Sequence, residues 1–441
     1  MEAGQLQNDL GGSHRGARAG GAPGRLRLRL DAGTETAVPL PRTIRSVSVI
    51  GAGLMGQGIA AAALQHQLPV TMTDTSSDIV AAGIDKILEQ VAQSNLAGDA
   101  RCDDSIDRRS LLRASVSREE LANSDLIIEA VVEKLAVKRR IFAQLEPMLN
   151  ENSILASNTS SIPITEIGAG LANPERLCGL HFCHPVHSRR LVEVIPGKRT
   201  DARTTARAVE YANAIGKLPI VVKDTPGFLV NRLLMPYLNE AVELVLEGAD
   251  VDSVDAAAVA YGFPIGPIRQ LDAIGIDVAL RVGLALYKAF PDRVTQSELL
   301  LALYELGYWG EKSGSGFFCY DQRTGSAIRN REVDKLIQHQ RRDRKQFSST
   351  ELTLRLLLPM LVEATRVLEE EVLAKVDDVD VALINGIGFP ESTGGLLSWA
   401  DALGTEKILE SLAQFRQLGV RYEPTEFLLK MAETGAKFYP N

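Results

Sequence analysis

A glycine-rich turn between an apolar run and a helix-forming run constrains the fold of this chain most. Val47–Ile50 is apolar and β-forming, Gly51, Gly53 and Gly56 stand in G-x-G-x-x-G spacing, and residues 57–64 favour a helix. In such a strand–turn–helix unit the glycines allow a tight turn, a close approach of a pyrophosphate, and close helix–strand packing. The helix N-terminus then offers free N–H groups to the phosphates, together with the positive end of its dipole.

An acidic residue follows at the distance that a dinucleotide site needs. Asp74 ends a second strand-like run, residues 69–73, about 20 positions after the first glycine. A carboxylate there binds the ribose hydroxyls of NAD and repels a 2′-phosphate, so NAD is favoured over NADP. The alternative is a glycine-rich turn that binds no ligand. It is disfavoured because the strand, the glycines, the helix and the acidic residue follow one another at the spacing of a dinucleotide site. The turn residues predicted to contact NAD are Gly51, Ala52, Gly53, Leu54, Met55 and Gly56.

Composition narrows the class of protein. The 441 residues suffice for two or three domains, and the net charge of −8 argues against a general nucleic-acid binder. Four cysteines are too few for a disulfide framework, which predicts a reducing, cytoplasmic location. No apolar run reaches the ~18 residues of a membrane span. Residues 1–43 are rich in glycine and arginine and are predicted to be a disordered extension.

Strand-like and helix-like runs alternate over residues 44–225, which predicts a Rossmann-type α/β domain with a parallel sheet. Ligands in such sheets bind beyond the carboxyl ends of the strands, so Glu129, Glu133 and residues 158–161 fall on the ligand side. The predicted strands after residue 73 are 124–132, 153–156, 177–182, 191–195 and 219–222, and the predicted helices are 79–92, 135–149 and 202–215.

The chain after Gly227 is predicted to be entirely helical and contains an internal repeat. Residues 236–241 resemble 359–364, and the later matches are 251–255 with 376–380, 262–264 with 388–390, and 271–273 with 400–402. Two copies are too few for a solenoid. They predict a duplicated all-α C-terminal domain, with copies at 226–335 and 336–441. Such a duplication could bury within one chain the surface through which single-copy chains pair, so a monomer is expected and a homodimer is the alternative.

A cluster of histidines and cysteines has two interpretations. Its members are Cys178, His181, Cys183, His184 and His187. A zinc site is disfavoured, because alternation along a strand would point His181 and His184 to opposite faces and no second Cys/His pair exists. The other interpretation makes His181 a general base whose tautomer is held by Glu193 on the next strand. A histidine with a purely structural role is the remaining alternative.

Six motifs, in order, resemble the L-3-hydroxyacyl-CoA dehydrogenases of fatty-acid β-oxidation. They are VIGAGLMGQGIA, EAVVEKLAVK, SNTSSIPITEI, GLHFCHPV, LVEVI and KDTPGFLVNRLLMPYLNEA. The similarity extends over residues 44–320, and residues 355–404 resemble the second helical domain of the multifunctional β-oxidation proteins. The enoyl-CoA hydratase domain that precedes the dehydrogenase part in those proteins is not expected here, since 43 residues cannot hold it.

The resemblance implies NAD-dependent oxidation of a 3-hydroxyacyl-CoA, with the acyl-CoA between the nucleotide domain and the helices. His181 would be the general base, Glu193 would orient it, and Ser160 would bind the substrate oxygen. Asn231 would help to position the substrate. The remaining cofactor contacts that the resemblance implies are Glu133, Lys138 and Lys312.

One position departs from the family pattern. The family usually reads HFFNP, whereas this chain reads HFCHP, so His184 replaces an amide on the nicotinamide side. Histidine can still donate and accept hydrogen bonds. Two other functions stay open: a related hydroxy-acid dehydrogenase that acts on a substrate without CoA, and a non-catalytic NAD-binding protein.

Overall fold

The computed structural model describes residues 27–29, 35–37, 43–96, 107–321 and 323–440. Most of the predicted N-terminal extension therefore lies outside the described residues. Within it, strands β1, Arg27–Arg29, and β2, Glu35–Ala37, pair in antiparallel fashion. The main sheet follows, with strands β3 Val47–Ile50, β4 Val70–Thr73, β5 Leu112–Ser115, β6 Leu126–Glu129, β7 Ile154–Ser157, β8 Leu177–Phe182, β9 Leu191–Pro196 and β10 Leu218–Val221.

The eight strands form one sheet in the order β10-β9-β8-β7-β6-β3-β4-β5. All neighbours are parallel except β8 and β9, which run antiparallel, so the two strands predicted at 177–182 and 191–195 pair directly across the loop that joins them. A short loop joins β8 to β9, and a parallel pair would have needed a crossover. The helices of this domain are α1 Leu54–Gln65, α2 Ser77–Leu96, α3 Leu135–Leu145, α4 Ile164–Ile167 and α5 Ala202–Ala214. The predicted Rossmann-type fold is confirmed.

The rest of the chain is mainly helical. The first group contains α6 Val230–Leu246, α7 Val251–Tyr261, α8 Pro267–Ile274, α9 Ile276–Ala289, α10 Glu298–Glu305, strands β11 Phe318–Tyr320 and β12 Ala327–Arg329, and α11 Arg331–Gln340. The second group contains α12 Ser349–Glu369, α13 Asp377–Ala382, a π-helical turn Leu383–Ile387, α14 Leu396–Leu403, α15 Thr405–Phe415 and α16 Glu426–Thr434. The β11–β12 hairpin contradicts the prediction that everything after Gly227 is helical.

The two helical groups pack on each other through equivalent residues. α6 and α12 both read R-x-x-x-P-x-x-x-E, and the buried Arg232 Nε lies 2.7 Å from Glu363 Oε1. In the reciprocal pair, Arg355 of α12 contacts Glu240 of α6, and both side chains are fully buried. Phe263 and Phe389, from the two Gly-Phe-Pro turns, pack edge to face with their ring centroids 5.1 Å apart. This reciprocity is what a local two-fold relation between the repeats would produce.

Two hydrophobic cores hold the domains. One lies between the sheet and α1, α2 and α5. The other begins on the opposite face of the sheet and continues through both helical groups, so the α/β domain and the helices share one core. The domain limits stay predictions, and the limit at residue 335 falls inside α11. In the described part of the chain, no helix is both long enough and apolar enough to cross a membrane.

Candidate active site

The glycine turn lies at the carboxyl end of β3, as the sequence predicts, and its three glycines meet different surroundings. A Cβ on Gly51, whose φ is +108°, would stand 2.6 Å from the Ala130 carbonyl oxygen, and one on Gly56 would stand 1.8 Å from the Gly51 carbonyl oxygen. A Cβ on Gly53 would meet nothing within 4 Å. Two glycines are therefore required by packing, whereas the third leaves the open space that a pyrophosphate would need.

Asp74 closes the turn from the neighbouring strand. Its Oδ2 accepts a hydrogen bond from the Ala52 N–H at 2.7 Å, and its Oδ1 accepts one from the Thr75 N–H at 2.6 Å. α1 begins at Leu54, whose side chain is 64% exposed, and Met55 is partly buried beside it. The predicted turn residues and the acid therefore form one surface, and their contacts with NAD stay predictions.

A buried network of one lysine and two glutamates lies at the carboxyl ends of β6 and β7. Lys138 is fully buried, and its Nζ lies 2.8 Å from Glu129 Oε1 and 3.1 Å from Glu133 Oε2. Glu129 Oε2 also accepts from the Ser157 hydroxyl at 2.7 Å. Because the lysine has no exposed surface, we expect it to act through Glu133, and direct contact with NAD stays a prediction. Glu129 is predicted from the sequence to lie on the ligand side, but its contact with Lys138 has no sequence signal.

Glu133 in turn shapes the polar segment after β7. Its Oε1 accepts from the Thr159 hydroxyl at 2.5 Å, from the Ser160 N–H at 2.9 Å and from the Ser161 N–H at 3.1 Å. Burial alone would raise the pKa of Glu133, but Lys138 and these donors outweigh it, so the pKa lies below its usual value. A charged Glu133 therefore fixes the turn that presents Ser160.

His181 and Glu193 face each other across the antiparallel pair β8–β9. His181 Nδ1 lies 2.6 Å from Glu193 Oε2, and both side chains are buried. With the proton on Nδ1, the imidazole donates to the carboxylate and leaves Nε2 as the free base. Nε2 lies 3.2 Å from Ser160 Oγ, so one ring joins the predicted base, its carboxylate and the predicted substrate-binding hydroxyl.

The first helical group completes this arrangement, which the sequence did not reveal. Glu193 Oε1 accepts from the Leu229 N–H at 2.8 Å and from the Val230 N–H at 3.1 Å. The preceding Phe228 has a φ of +50°, unusual for a bulky residue, and its ring centroid lies 5.8 Å from that of His181. The unusual backbone points two N–H groups at the carboxylate. The only sequence signal was the Pro-Gly pair just before it.

Asn231 connects α6 to the same turn. Its Nδ2 donates to the Ser160 carbonyl oxygen at 3.0 Å, so the α/β domain and the first helical group meet at the predicted catalytic residues. Lys312 stands farther along the helical group and pairs with Asp277. The contact of Lys312 with the cofactor stays a prediction.

His184 lies two residues beyond the end of the His181 strand. β8 ends at Phe182, so the alternation argument against a metal site does not apply to His184. Burial, followed by the nearby His187, lowers the pKa of His184, which favours the neutral ring. Glu311, next to Lys312, is also close enough to act on it. Among the described residues, no group of three His, Cys, Asp or Glu side chains could hold a metal ion.

Comparisons with known proteins agree with this architecture. The family model described as 3-hydroxyacyl-CoA dehydrogenase, NAD binding domain, matches residues 46–225, and this match indicates NAD as the cofactor. The model described as 3-hydroxyacyl-CoA dehydrogenase, C-terminal domain, matches twice, at residues 227–320 and 352–438. The duplicated helical domain predicted from the internal repeat is thus found again as two copies of one family domain.

Solved structures of 3-hydroxybutyryl-CoA dehydrogenases and of a multifunctional enzyme are similar to this chain. The 3-hydroxybutyryl-CoA dehydrogenase of Escherichia coli is 28% identical, with a TM-score of 0.76 over 89% of this chain and 99% of its own. The (S)-3-hydroxybutyryl-CoA dehydrogenase of Ralstonia eutropha is 36% identical over 64% of this chain and all of its own, with a TM-score of 0.59. The dehydrogenase part of multifunctional enzyme 1 from C. elegans is 26% identical, with a TM-score of 0.61, over 88% of this chain and 90% of its own.

Proposed function

The chain belongs to the 3-hydroxyacyl-CoA dehydrogenase family of NAD-dependent oxidoreductases, and from this premise we propose that it oxidises (S)-3-hydroxyacyl-CoA thioesters to 3-oxoacyl-CoA in fatty-acid β-oxidation. The observation that carries the proposal is the chain of contacts from Glu193 through His181 to Ser160, at 2.6 and 3.2 Å. This is the geometry that a base needs in order to take a hydroxyl proton.

Each residue has a definite task in this proposal. Ser160 and the free Nε2 of His181 hold the substrate hydroxyl, and Nε2 accepts its proton as the C3–H bond breaks. Glu193 stabilises the resulting imidazolium, and its own charge is held by two backbone N–H groups. NAD, when bound, supplies the hydride acceptor. The glycine turn and Asp74 would hold it at the carboxyl edge of the sheet, where the open space beside Gly53 fits a pyrophosphate.

We place the acyl-CoA between the α/β domain and the first helical group. The support is the Asn231–Ser160 hydrogen bond, which joins the two parts at the reacting position. A substrate bound there would contact residues from both parts, and closure of the parts would exclude water from the transfer.

The direct test follows NADH absorbance with acetoacetyl-CoA, using free acetoacetate and NADPH as parallel controls. We expect NADH to be consumed only with the thioester. His181→Gln should lower turnover by about 10²- to 10⁴-fold, the usual contribution of a general base, while the Kd for NADH stays nearly constant. Consumption of NADH with acetoacetate alone would contradict the CoA-dependent substrate. Full activity of His181→Gln would contradict the base.

A further inference from the structure

The loop of residues 183–190, here called the connecting loop, links the strand of His181 to the strand of Glu193. Its internal hydrogen bonds share one acceptor: the Ser188 N–H, the Arg189 N–H and the Ser188 hydroxyl donate to the Pro185 carbonyl oxygen at 3.2, 3.0 and 3.3 Å. The loop also touches the nucleotide-binding helix, because a Cβ on Gly58 of α1 would stand 2.8 Å from Val186. Its position therefore affects both the proposed base and the cofactor side of the site.

Lys217 holds this loop from outside. Its Nζ donates to the carbonyl oxygens of Val186 and Arg189, the second at 2.9 Å. The lysine itself lies at the junction between α5 and β10. Its own N–H donates to the Ala212 carbonyl oxygen at 2.9 Å, and the next N–H, from Leu218, donates to the Arg190 carbonyl oxygen at 2.8 Å. One short segment thus binds three carbonyl groups of the connecting loop.

The surroundings of Lys217 are unusual for a cation. Burial lowers its pKa to about 8, and the charged or ionisable groups that act on it in the described part of the chain are Cys183 and Arg190. No carboxylate is among them. Keeping an ammonium half-buried without an acidic partner is unfavourable unless its hydrogen bonds are needed. Here two carbonyl oxygens of the connecting loop need hydrogen-bond donors, and the Lys217 ammonium offers three N–H donors at the end of a long side chain.

We propose that Lys217 is a positioning residue for catalysis, which holds the connecting loop so that His181 stays opposite Glu193. It touches neither substrate nor cofactor and acts through the loop backbone. The inference rests on the proposed role of His181. It extends that role to a residue on the far side of β9, next to a strand that contributes no side chain to the site.

The test compares Lys217→Met, which keeps a long apolar side chain without donors, with Lys217→Arg and with the exposed surface control Lys335→Met. Reduction of acetoacetyl-CoA by NADH is measured from pH 6.5 to 9.5. At pH 7 we expect kcat of Lys217→Met to fall about tenfold to a hundredfold, as for a misplaced catalytic group, with the Kd for NADH changed less than about threefold. Lys335→Met should match the wild type, and Lys217→Arg should recover much of the loss.

The pH dependence separates positioning from simple packing. With a pKa of about 8, Lys217 loses its charge as the pH rises through this value, and its hydrogen bonds to the two carbonyl oxygens weaken, although the neutral amine keeps two N–H donors. We therefore expect the ratio of wild-type to Lys217→Met activity to shrink above pH 8. A Lys217→Met enzyme as active as the wild type at pH 7 would overturn the inference.

Hydrogen exchange keeps the inference testable if acetoacetyl-CoA is not a substrate. In that case the proposed function fails first, and the amide exchange of residues 183–190 is compared between the wild type and Lys217→Met. We expect faster exchange in the variant, confined to the connecting loop, because its external hydrogen bonds are lost. Equal exchange would show that Lys217 does not hold the loop.

Discussion

Single residues in this protein work through the atoms they hold in place. The carboxylate of Asp74 is bound on both oxygens, by the N–H groups of Ala52 and Thr75, so its charge has a fixed position beside the glycine turn. A fixed charge discriminates better than a mobile one, because it cannot turn away from a 2′-phosphate. We therefore predict that the choice between NAD and NADP depends on this one side chain.

We expect Asp74→Asn to weaken NADH binding and to narrow the preference for NADH over NADPH by about tenfold, which corresponds to roughly 1.4 kcal/mol. The Kd values of both nucleotides, measured by titration, check this. Asp78→Asn is the matched control, since Asp78 is an exposed acid in the first turn of α2, close in sequence to Asp74. If Asp74→Asn kept the wild-type preference for NADH over NADPH, the Asp74 carboxylate would not determine which ribose is bound.

At the scale of elements, the site depends on how strand ends are joined. The turn after β7 has no regular structure, and Glu133 holds it through two N–H groups and two hydroxyls. The α3 lysine Lys138 holds Glu133 in turn. The position of Ser160 is thus set by a helix and a carboxylate that precede it in sequence.

Glu133→Gln should destabilise the fold by about 1–3 kcal/mol at pH 7, because the turn loses charge-assisted hydrogen bonds. The pKa of Glu133 is lowered in the folded state, so its stabilisation is present above the ordinary pKa of 4.5 and is lost as the pH falls through the folded value. Urea unfolding of both proteins should therefore show a difference at pH 7 that shrinks on acidification. Glu89→Gln, on an exposed surface pair, should show neither effect. A pH-independent difference would contradict this explanation.

For the whole molecule, the duplicated helices replace a partner subunit in our interpretation. Arg232 with Glu363 and Arg355 with Glu240 are equivalent pairs across the interface of the two repeats. A homodimer would form such reciprocal pairs between subunits. Here they lie within one chain, so we expect a monomer, and a sedimentation mass near 47.8 kDa supports this while twice that mass contradicts it.

Removing one partner of the buried Arg355–Glu240 pair should lower the free energy of unfolding strongly. Arg355→Met leaves Glu240 buried with less positive charge beside it, and we expect a loss of about 3–5 kcal/mol in the free energy of unfolding. Arg342→Met removes an arginine whose side chain is 54% exposed and which pairs with Glu243 nearby, so its effect should stay below about 1 kcal/mol. Denaturant midpoints measure both. Similar losses in the two variants would show that burial does not govern the interface.

The sequence alone was sufficient for those features that depend on neighbouring residues. The glycine turn, the buried strands and the repeat follow from local spacing and periodicity, because a turn needs its glycines and a buried strand needs its apolar run. His181 and Glu193 were paired correctly, since two adjacent strands with a short loop bring them opposite each other. Strand β5, with two exposed residues among four, had no such signal and was missed.

Only the tertiary structure decided the contacts between distant segments. The N–H groups of Leu229 and Val230 bind Glu193, and the ammonium of Lys217 binds the connecting loop, so both contacts join segments that are far apart in the sequence. A hydrogen bond between such segments leaves no periodicity in the sequence, because it requires only that one donor and one acceptor meet after the cores have packed. The contact between His181 and Glu193 is therefore predictable from the sequence, whereas the hydrogen bonds that support it are determined by the packing of the domains.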